Sequence, residues 1–458
     1  MRHSGGWDGV TADGAGVPGP RGLPLVGVLP QLLRDPLAFL ARTAQEHGGF
    51  VRLWVGGADL YLATAPAVVK ELLQERHRAF HKGAVEPAII EIFGRGLITS
   101  DGDTWLSQRR LMQNVFHHSR LAGFATVMAE AAGRMLDGWA AMSGTPVDVS
   151  GSMARLTQEI ILRTMFSTER PAEAELLARC FTTVLDFGQL AMLGPAERLT
   201  RLPTPQRRRF RQALSTLDVA VSRLIAERRA SGASQPDLLS MLLETQDADT
   251  GERMSNREIR DQVFNIYLAG YETTAVLLSW ACELLAHHPD VAERLRGELS
   301  ALLGGRVPRF EDLPQLRYTR MVIDETLRLY PPAWLSARRP ITATTLAGYP
   351  LASSATILYS PYITHRDPQL WPDPERFDPE RFRPEAVEAR PRFAFYPFGG
   401  GPHLCIGSHF ALMEAQIVLA MLCQRFYILP ASNRRLQPRV GLTLRPERMI
   451  RVKPFLYK

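Results

Sequence analysis

Cysteine is scarce. Four residues in 458, Cys180, Cys282, Cys405 and Cys423, with no CxxC pair and no even spacing, exclude a disulfide-stapled scaffold and point to a reducing compartment, the cytoplasm. Long apolar runs are missing too. The best window, LPLVGVLPQLL, is broken by Pro24 and Pro30 and falls short of the roughly 18 residues a membrane span needs, so no membrane anchor is expected. The first residues, MRHSGGWDGVTADGAGVPGPRG, lack the basic start and apolar core of a secretory signal. No internal repeat or low-complexity linker divides the chain. Charged residues at 22% and hydrophobic ones at 45% exclude a largely disordered protein. Acidic residues are in deficit, 47 against 54 Lys plus Arg, and the net +7 favours an acidic partner, an anionic surface or nucleic acid. Nucleic acid is the poorest of these, because Arg207-Arg208-Arg209 has no interleaved aromatics and reads as a solvated helix face.

What is present is mostly helix. Residues 1–22 read as a flexible tail and 23–458 as a single domain, mainly α with a minor β part. A helix is expected near Leu37 to Glu46, and FVRLWVGGADLYLA forms a hairpin around Gly56-Gly57. From about Pro66 to His288 apolar residues return every three or four positions, with a break at ASGASQPD. After Pro331 the chain turns Pro-rich, with β-prone TTLAGYPL and ATILYS, and a helix returns over Ser408 to Arg425. The longest helix starts at Ser255, where Ser255-x-x-Glu258 is a capping box, and ends before Pro289. It would run about 48 Å and must cross the core.

Three patterns carry chemistry. In Phe398-Gly399-Gly400-Gly401-Pro402-His403-Leu404-Cys405-Ile406-Gly407, three glycines and a proline let backbone approach a flat ligand, and Cys405 precedes a helix N-terminus that favours a thiolate. The other three cysteines read as buried thiols. In the long helix, Ala269-Gly270-Tyr271-Glu272-Thr273-Thr274 sits among apolar residues, so a solvated face is excluded; Gly270 and the two threonines are expected to loosen the hydrogen-bond ladder into a local bulge. Glu325-Thr326-Leu327-Arg328 places an acid and a base on one helical face. His117-His118 and His287-His288 are adjacent pairs that cannot share a face and read as structural or capping residues.

These residues resemble the cytochrome P450 family of haem-thiolate monooxygenases. Phe398, Gly401, Cys405 and Gly407 fill its FxxGxxxCxG signature, and Ala269, Gly270, Glu272 and Thr273 its (A/G)Gx(D/E)T oxygen-activation motif. Glu325 and Arg328, followed by Pro379-Glu380-Arg381-Phe382, match its ExxR and second arginine elements, and Trp105-x-x-x-Arg109 its WxxxR element. The resemblance covers nearly the whole chain, in family order. It implies the family fold, with haem b (iron protoporphyrin IX) lying between the long helix and the cysteine-loop helix, and makes Cys405 the axial iron ligand. His403, Trp105, Arg109 and either Arg338 or Arg339 would meet the haem propionates. Thr273 would bond oxygen and Glu272 relay protons, while Glu325, Arg328 and Arg381 form a buried structural network.

The implied activity is insertion of one atom of O₂ into a C–H bond of a lipophilic small molecule. Electrons would come from a separate ferredoxin or flavodoxin-type protein with its reductase, since 53 residues follow Cys405 and carry no flavin or iron–sulfur segment. A monomer is expected. The PGPRGLPLVG opening, RLPTPQRRRF and the AGYETT form resemble bacterial members that oxidise terpenoids; fatty acids, steroids and polyketides are the alternatives. A peroxygenase or isomerase that does not use O₂ is the rival class, against which the Glu272-Thr273 pair weighs. Apolar stretches at Ala84 to Ile98, Phe181 to Leu193, Pro332 to Leu335 and Leu442 to Leu444 would line the pocket.

Overall fold

The computed structural model of the chain describes residues 16–82, 87–116, 121–167, 171–191, 204–232, 235–246 and 251–457. His117 and His118 lie outside them. The chain forms two compact units: one of Met1–Gly83, Leu335–Pro374 and Arg390–Leu404, the other of Ala84–Trp334, Glu375–Ala389 and Cys405–Lys458.

The larger unit is helical, and its principal helices are α1 (Gly102–Val115), α2 (Val149–Phe166), α3 (Pro171–Ala191), α4 (Pro205–Ser231), α5 (Asn256–His287), α6 (Arg317–Leu329) and α7 (Ser408–Arg425). Ser255 and Glu258 close the expected capping box at the start of α5, and His288 ends it, its Nδ1 2.7 Å from the Leu284 carbonyl. All 32 residues of α5 stay α-helical. The bulge expected at its midpoint is not formed: Thr273 donates its hydroxyl to the Ala269 carbonyl at 2.8 Å and Thr274 to that of Gly270 at 3.1 Å, adding bonds along the ladder rather than opening it. Gly270 is there for space, since a Cβ would come to 3.2 Å from Ile161 on α2. Aromatic packing ties α3 to the same helix, with Phe181 stacked on Tyr267 at 3.6 Å between centroids.

Arg207 at the start of α4 departs from a solvated face. Its guanidinium pairs with Glu91 at 2.9 Å and lies over the rings of Phe187 and Phe210, whereas Arg208 and Arg209 are exposed.

The smaller unit holds a five-stranded sheet of β1 (Phe50–Val55), β2 (Ala58–Ala63), β3 (Phe80–His81), β4 (Ser336–Pro340) and β5 (Thr356–Tyr359), ordered β1-β2-β5-β4-β3. Strands β2 and β5 run parallel; the other neighbours are antiparallel. Gly56 and Gly57, with φ of 53° and 88°, make the two-residue turn of the expected β1–β2 hairpin. The core on this sheet includes Phe50, Tyr61, Leu72, Leu73, Ile357 and Phe393. Residue 18 of the N-terminal stretch is tied down, its carbonyl accepting from Arg52 N–H at 2.8 Å.

Glu414, in the middle of α7, is 1% exposed, and its Oε1 has no hydrogen-bond partner among the described residues. Burial drives its pKa well above the ordinary carboxyl value. The folded protein therefore binds this proton more tightly than the unfolded chain does. This contribution to stability is present below the ordinary carboxyl pKa and is lost as pH rises. Glu414→Gln should be more stable than the parent at pH 8 by about 1 kcal/mol or more, with the gap closing toward pH 4. Denaturant unfolding across that range checks it; a gap that widens on acidification would contradict it.

Candidate active site

The cysteine loop begins in the smaller unit and ends in the larger. In the smaller unit Gly401 has φ 64°, and a Cβ there would sit 1.8 Å from the Leu73 carbonyl oxygen; a Cβ at Gly400 would meet the Phe393 ring at 2.2 Å. Glycine is thus required by close approach at both positions and by conformation at Gly401. Phe398 and His403 are half-buried, His403 closing a short 3₁₀ turn over Gly401–His403. In the larger unit Cys405 is exposed, whereas Cys180, Cys282 and Cys423 are buried. Crowding by the surrounding protein raises the Cys405 thiol pKa; the backbone N–H of Gly407, which caps α7 and donates to the sulfur, and the charge of Arg109 oppose that rise.

Two guanidiniums are short of counter-charge. On α1, Trp105 is buried and Arg109, four residues on, is half-buried with no carboxylate partner among the described residues; burial lowers its pKa. In the smaller unit Arg338 is 8% exposed on β4, bonded to the Ala337 carbonyl at 2.8 Å and placed over Tyr359, again without a carboxylate among the described residues. Arg339 points to the other face of β4 and donates to Thr356 at 3.0 Å. Strand alternation therefore selects Arg338 as the buried cation. A buried guanidinium without an acid is expensive. In the larger unit an accessible thiol at a helix N-terminus, with a guanidinium short of counter-charge nearby, fits the metal and a carboxylate of an iron porphyrin; in the smaller unit the glycine cradle and the buried Arg338 fit a flat ligand that carries negative charge.

On α5 every residue from Asp261 to Leu268 and from Thr274 to Ala286 is buried. Between these runs, accessible surface appears at Ala269, Gly270 and Thr273. These positions share one face, as i, i+1 and i+4 do. Glu272 points elsewhere. It is 4% exposed, its Oε1 accepting from Thr443 Oγ1 at 2.5 Å and from Arg445 Nε at 2.7 Å.

The ExxR pair of α6 is fully buried: Arg328 reaches Glu325 through Nε at 2.6 Å and Nη2 at 2.8 Å. Asp378 N–H donates to Glu325 at 2.9 Å, Arg328 to the Arg376 carbonyl at 3.1 Å, and Arg381 stands 3.6 Å from the same carboxylate. The segment around Pro379–Phe382 is thereby fixed to α6.

Several residues of this region had no motif to announce them. Asp261, Gln262 and Asn265 of α5 accept from the backbone N–H groups of Arg95, Leu97 and Ile98 at 2.9, 3.1 and 2.8 Å, and Asn265 also donates to the Phe93 carbonyl at 2.6 Å. Three polar residues in an apolar helix were the available signal. Thr443 and Arg445 gave none, since 171 and 173 positions separate them from Glu272.

Comparison with known proteins agrees with the geometry. The family model described as Cytochrome P450 matches residues 17–453, and the chain belongs to that family. It is a haem b-dependent monooxygenase that oxidises a lipophilic small molecule with O₂ and electrons from a redox partner. Among its relatives, cyclooctatin synthase of Streptomyces melanosporofaciens is 39% identical over 94% of both chains. Cyclooctat-9-en-7-ol 5-monooxygenase of the same organism is 38% identical over 93% of this chain and 90% of its own. Pentalenene oxygenase of Streptomyces avermitilis is 34% identical over 95% and 96%. A crystal structure of the cytochrome P450DA heme domain superposes with a TM-score of 0.86 at 28% identity, covering 98% of each chain. Among the described residues no helix is long and apolar enough to cross a membrane.

Gly401→Ala combines a positive φ with overlap of a backbone oxygen. It should cost roughly 3 kcal/mol or more, read as a fall in the thermal midpoint together with poor haem retention. An alanine variant as stable as the parent would contradict the close approach to Leu73.

Proposed function

We propose that this chain hydroxylates a terpenoid and that Cys405 would supply the sulfur that holds its haem iron. The observation that carries the ligand assignment is the accessible Cys405 sulfur at the head of α7, which receives the Gly407 N–H and lies in the field of Arg109. Trp105, Arg109, Arg338 and His403 hold the propionates, and Phe398, Gly401 and Gly407 shape the loop against the macrocycle. The haem supplies the reductive activation of O₂ and the oxidation of the C–H bond. Around it the chain does three things. Ala269 and Gly270 present a face of α5 with little side chain, leaving room beside it. Thr273 on that face offers its hydroxyl, which breaks its bond to the Ala269 carbonyl to hydrogen-bond oxygen. Glu272, paired with Arg445, would relay protons.

The relatives' names, cyclooctat-9-en-7-ol and pentalenene, support a terpenoid substrate. The electron donor is an acidic ferredoxin-type protein, served by its own reductase. It is drawn by the net +7 charge to a hollow of about 500 Å³ on the cysteine-loop side of the smaller unit, where Arg392, Gln74 and the exposed Leu404 stand. The protein works as a monomer in the cytoplasm.

Thr273→Ala should divert electrons from product to peroxide, lowering coupled turnover by about tenfold or more; product formation still fully coupled to NAD(P)H use would contradict the role of Thr273. Titrating the purified haem protein with terpenoids, fatty acids, steroids and polyketides should give the tightest substrate-type spectral shift with a terpenoid. A shift confined to fatty acids would overturn the substrate class.

A further inference from the structure

Glu272 is held by a device that its motif does not contain. Its Oε1 receives three donors: Thr443 Oγ1 at 2.5 Å, Arg445 Nε at 2.7 Å and Arg445 Nη2 at 2.5 Å. The other oxygen, Oε2, is buried and has no hydrogen-bond partner among the described residues. One carboxylate oxygen is saturated and the other is unused.

The donors come from a pinned segment. Thr443 and Arg445 flank a tight turn, closed by the Arg445 N–H donating to the Thr443 carbonyl at 3.1 Å, and both side chains reach the Glu272 carboxylate. Between them Leu444 is fully buried; its N–H donates to the Pro332 carbonyl at 3.0 Å, and its own carbonyl accepts the Trp280 indole N–H at 3.0 Å. Trp280 stands on α5 itself, eight residues after Glu272, and is stacked on Tyr330 at 3.7 Å. Arg445–Pro446 pairs antiparallel with Pro438–Arg439, and Trp334 donates to the Gly441 carbonyl at 3.1 Å. The hairpin that clamps Glu272 is thus anchored to the helix that carries Glu272. Two further titratable groups share this field: Tyr271, whose pKa burial raises, and Asp186 on α3, raised by burial, lowered by Arg445 and raised by Glu272.

We propose that Thr443 and Arg445 are positioning residues for proton delivery: by occupying Oε1 they leave Oε2 as the one atom of Glu272 that gives and takes a proton, and they fix the direction in which it does so. The step moves one proton and no electrons. Oε2 takes a proton from solvent, forming an O–H bond, and that bond breaks as a hydrogen-bonded water on the way to the site accepts the proton, which restores the carboxylate held by Arg445. This rests on the reading of Glu272 as a proton carrier.

The test compares Thr443→Val, Arg445→Met and Arg445→Lys with Glu272→Gln in the haem-loaded protein. In infrared difference spectra of the resting protein, the carboxyl band lost in Glu272→Gln should move in both Thr443→Val and Arg445→Met. In turnover, Arg445→Met should lower coupled kcat about tenfold to a hundredfold and raise the solvent deuterium isotope effect, with substrate affinity from the spectral shift kept within about twofold, and Arg445→Lys should recover part of the loss. Thr443→Val, which keeps the side-chain volume, carries the test if Arg445→Met fails to fold. Impaired coupling in Glu272→Gln beside parental spectra and parental coupling in the Thr443 and Arg445 variants would overturn the positioning role alone. Parental coupling in Glu272→Gln itself would remove the proton-carrier reading and the proposal with it.

Discussion

A helix buried along almost its whole length is under pressure to pair the polar side chains it carries; on α5 several find partners, although Gln262 Nε2, the Tyr267 hydroxyl and Glu272 Oε2 have none among the described residues. That constraint, acting on α5, organises the larger unit. Asp261, Gln262 and Asn265 meet it by capping the backbone of residues 95–98, Glu272 by taking Thr443 and Arg445, and Ser279 by bonding back to the Ala275 carbonyl at 2.6 Å. Each solution recruits a segment far away in sequence or tightens the helix. The polar groups that would be liabilities in an isolated apolar helix are therefore what assemble the loops around it. Where α5 carries alanine and glycine instead, at Ala269 and Gly270, nothing is recruited and surface is left accessible beside Thr273.

Charge burial follows the same logic with opposite outcomes. Glu325 and Arg328 are both fully buried, yet two short bonds between them, the Asp378 N–H and the nearby charge of Arg381 at 3.6 Å satisfy the carboxylate, so the pair acts as a rivet. Arg109 and Arg338 are withdrawn from water with no acid among the described residues to meet them. A folded chain tolerates such cations where a ligand brings the anions. Glu414 takes the third course: buried with an unpartnered Oε1 among the described residues, its carboxyl is pushed toward the neutral form.

Much of this was legible in the sequence because the signals were local. The capping box at Ser255 and Glu258, the Gly56-Gly57 hairpin turn and the helix from Ser408 to Arg425 depend on neighbouring residues, and they form where the pattern places them. The choice between Arg338 and Arg339 needed only the phase of β4, which a run of five residues does not reveal until its partner strands are known. The expected bulge in α5 was mistaken because a threonine hydroxyl can either disrupt a helix or bond back to it, and the packing of Gly270 against Ile161 favours the regular course. The partners of Glu272 were out of reach altogether: Thr443 and Arg445 sit in a stretch with no motif, and only the fold brings them to the carboxylate.

The assignment of Cys405 as the iron's thiolate ligand is what the functional reading stands on, and the reduced, carbon monoxide-bound spectrum tests it most directly. The account predicts the red-shifted band of a thiolate-ligated haem in the intact protein and its loss in Cys405→His with haem still bound. An unshifted band in the intact protein, or a red-shifted band that survives the substitution, would contradict it.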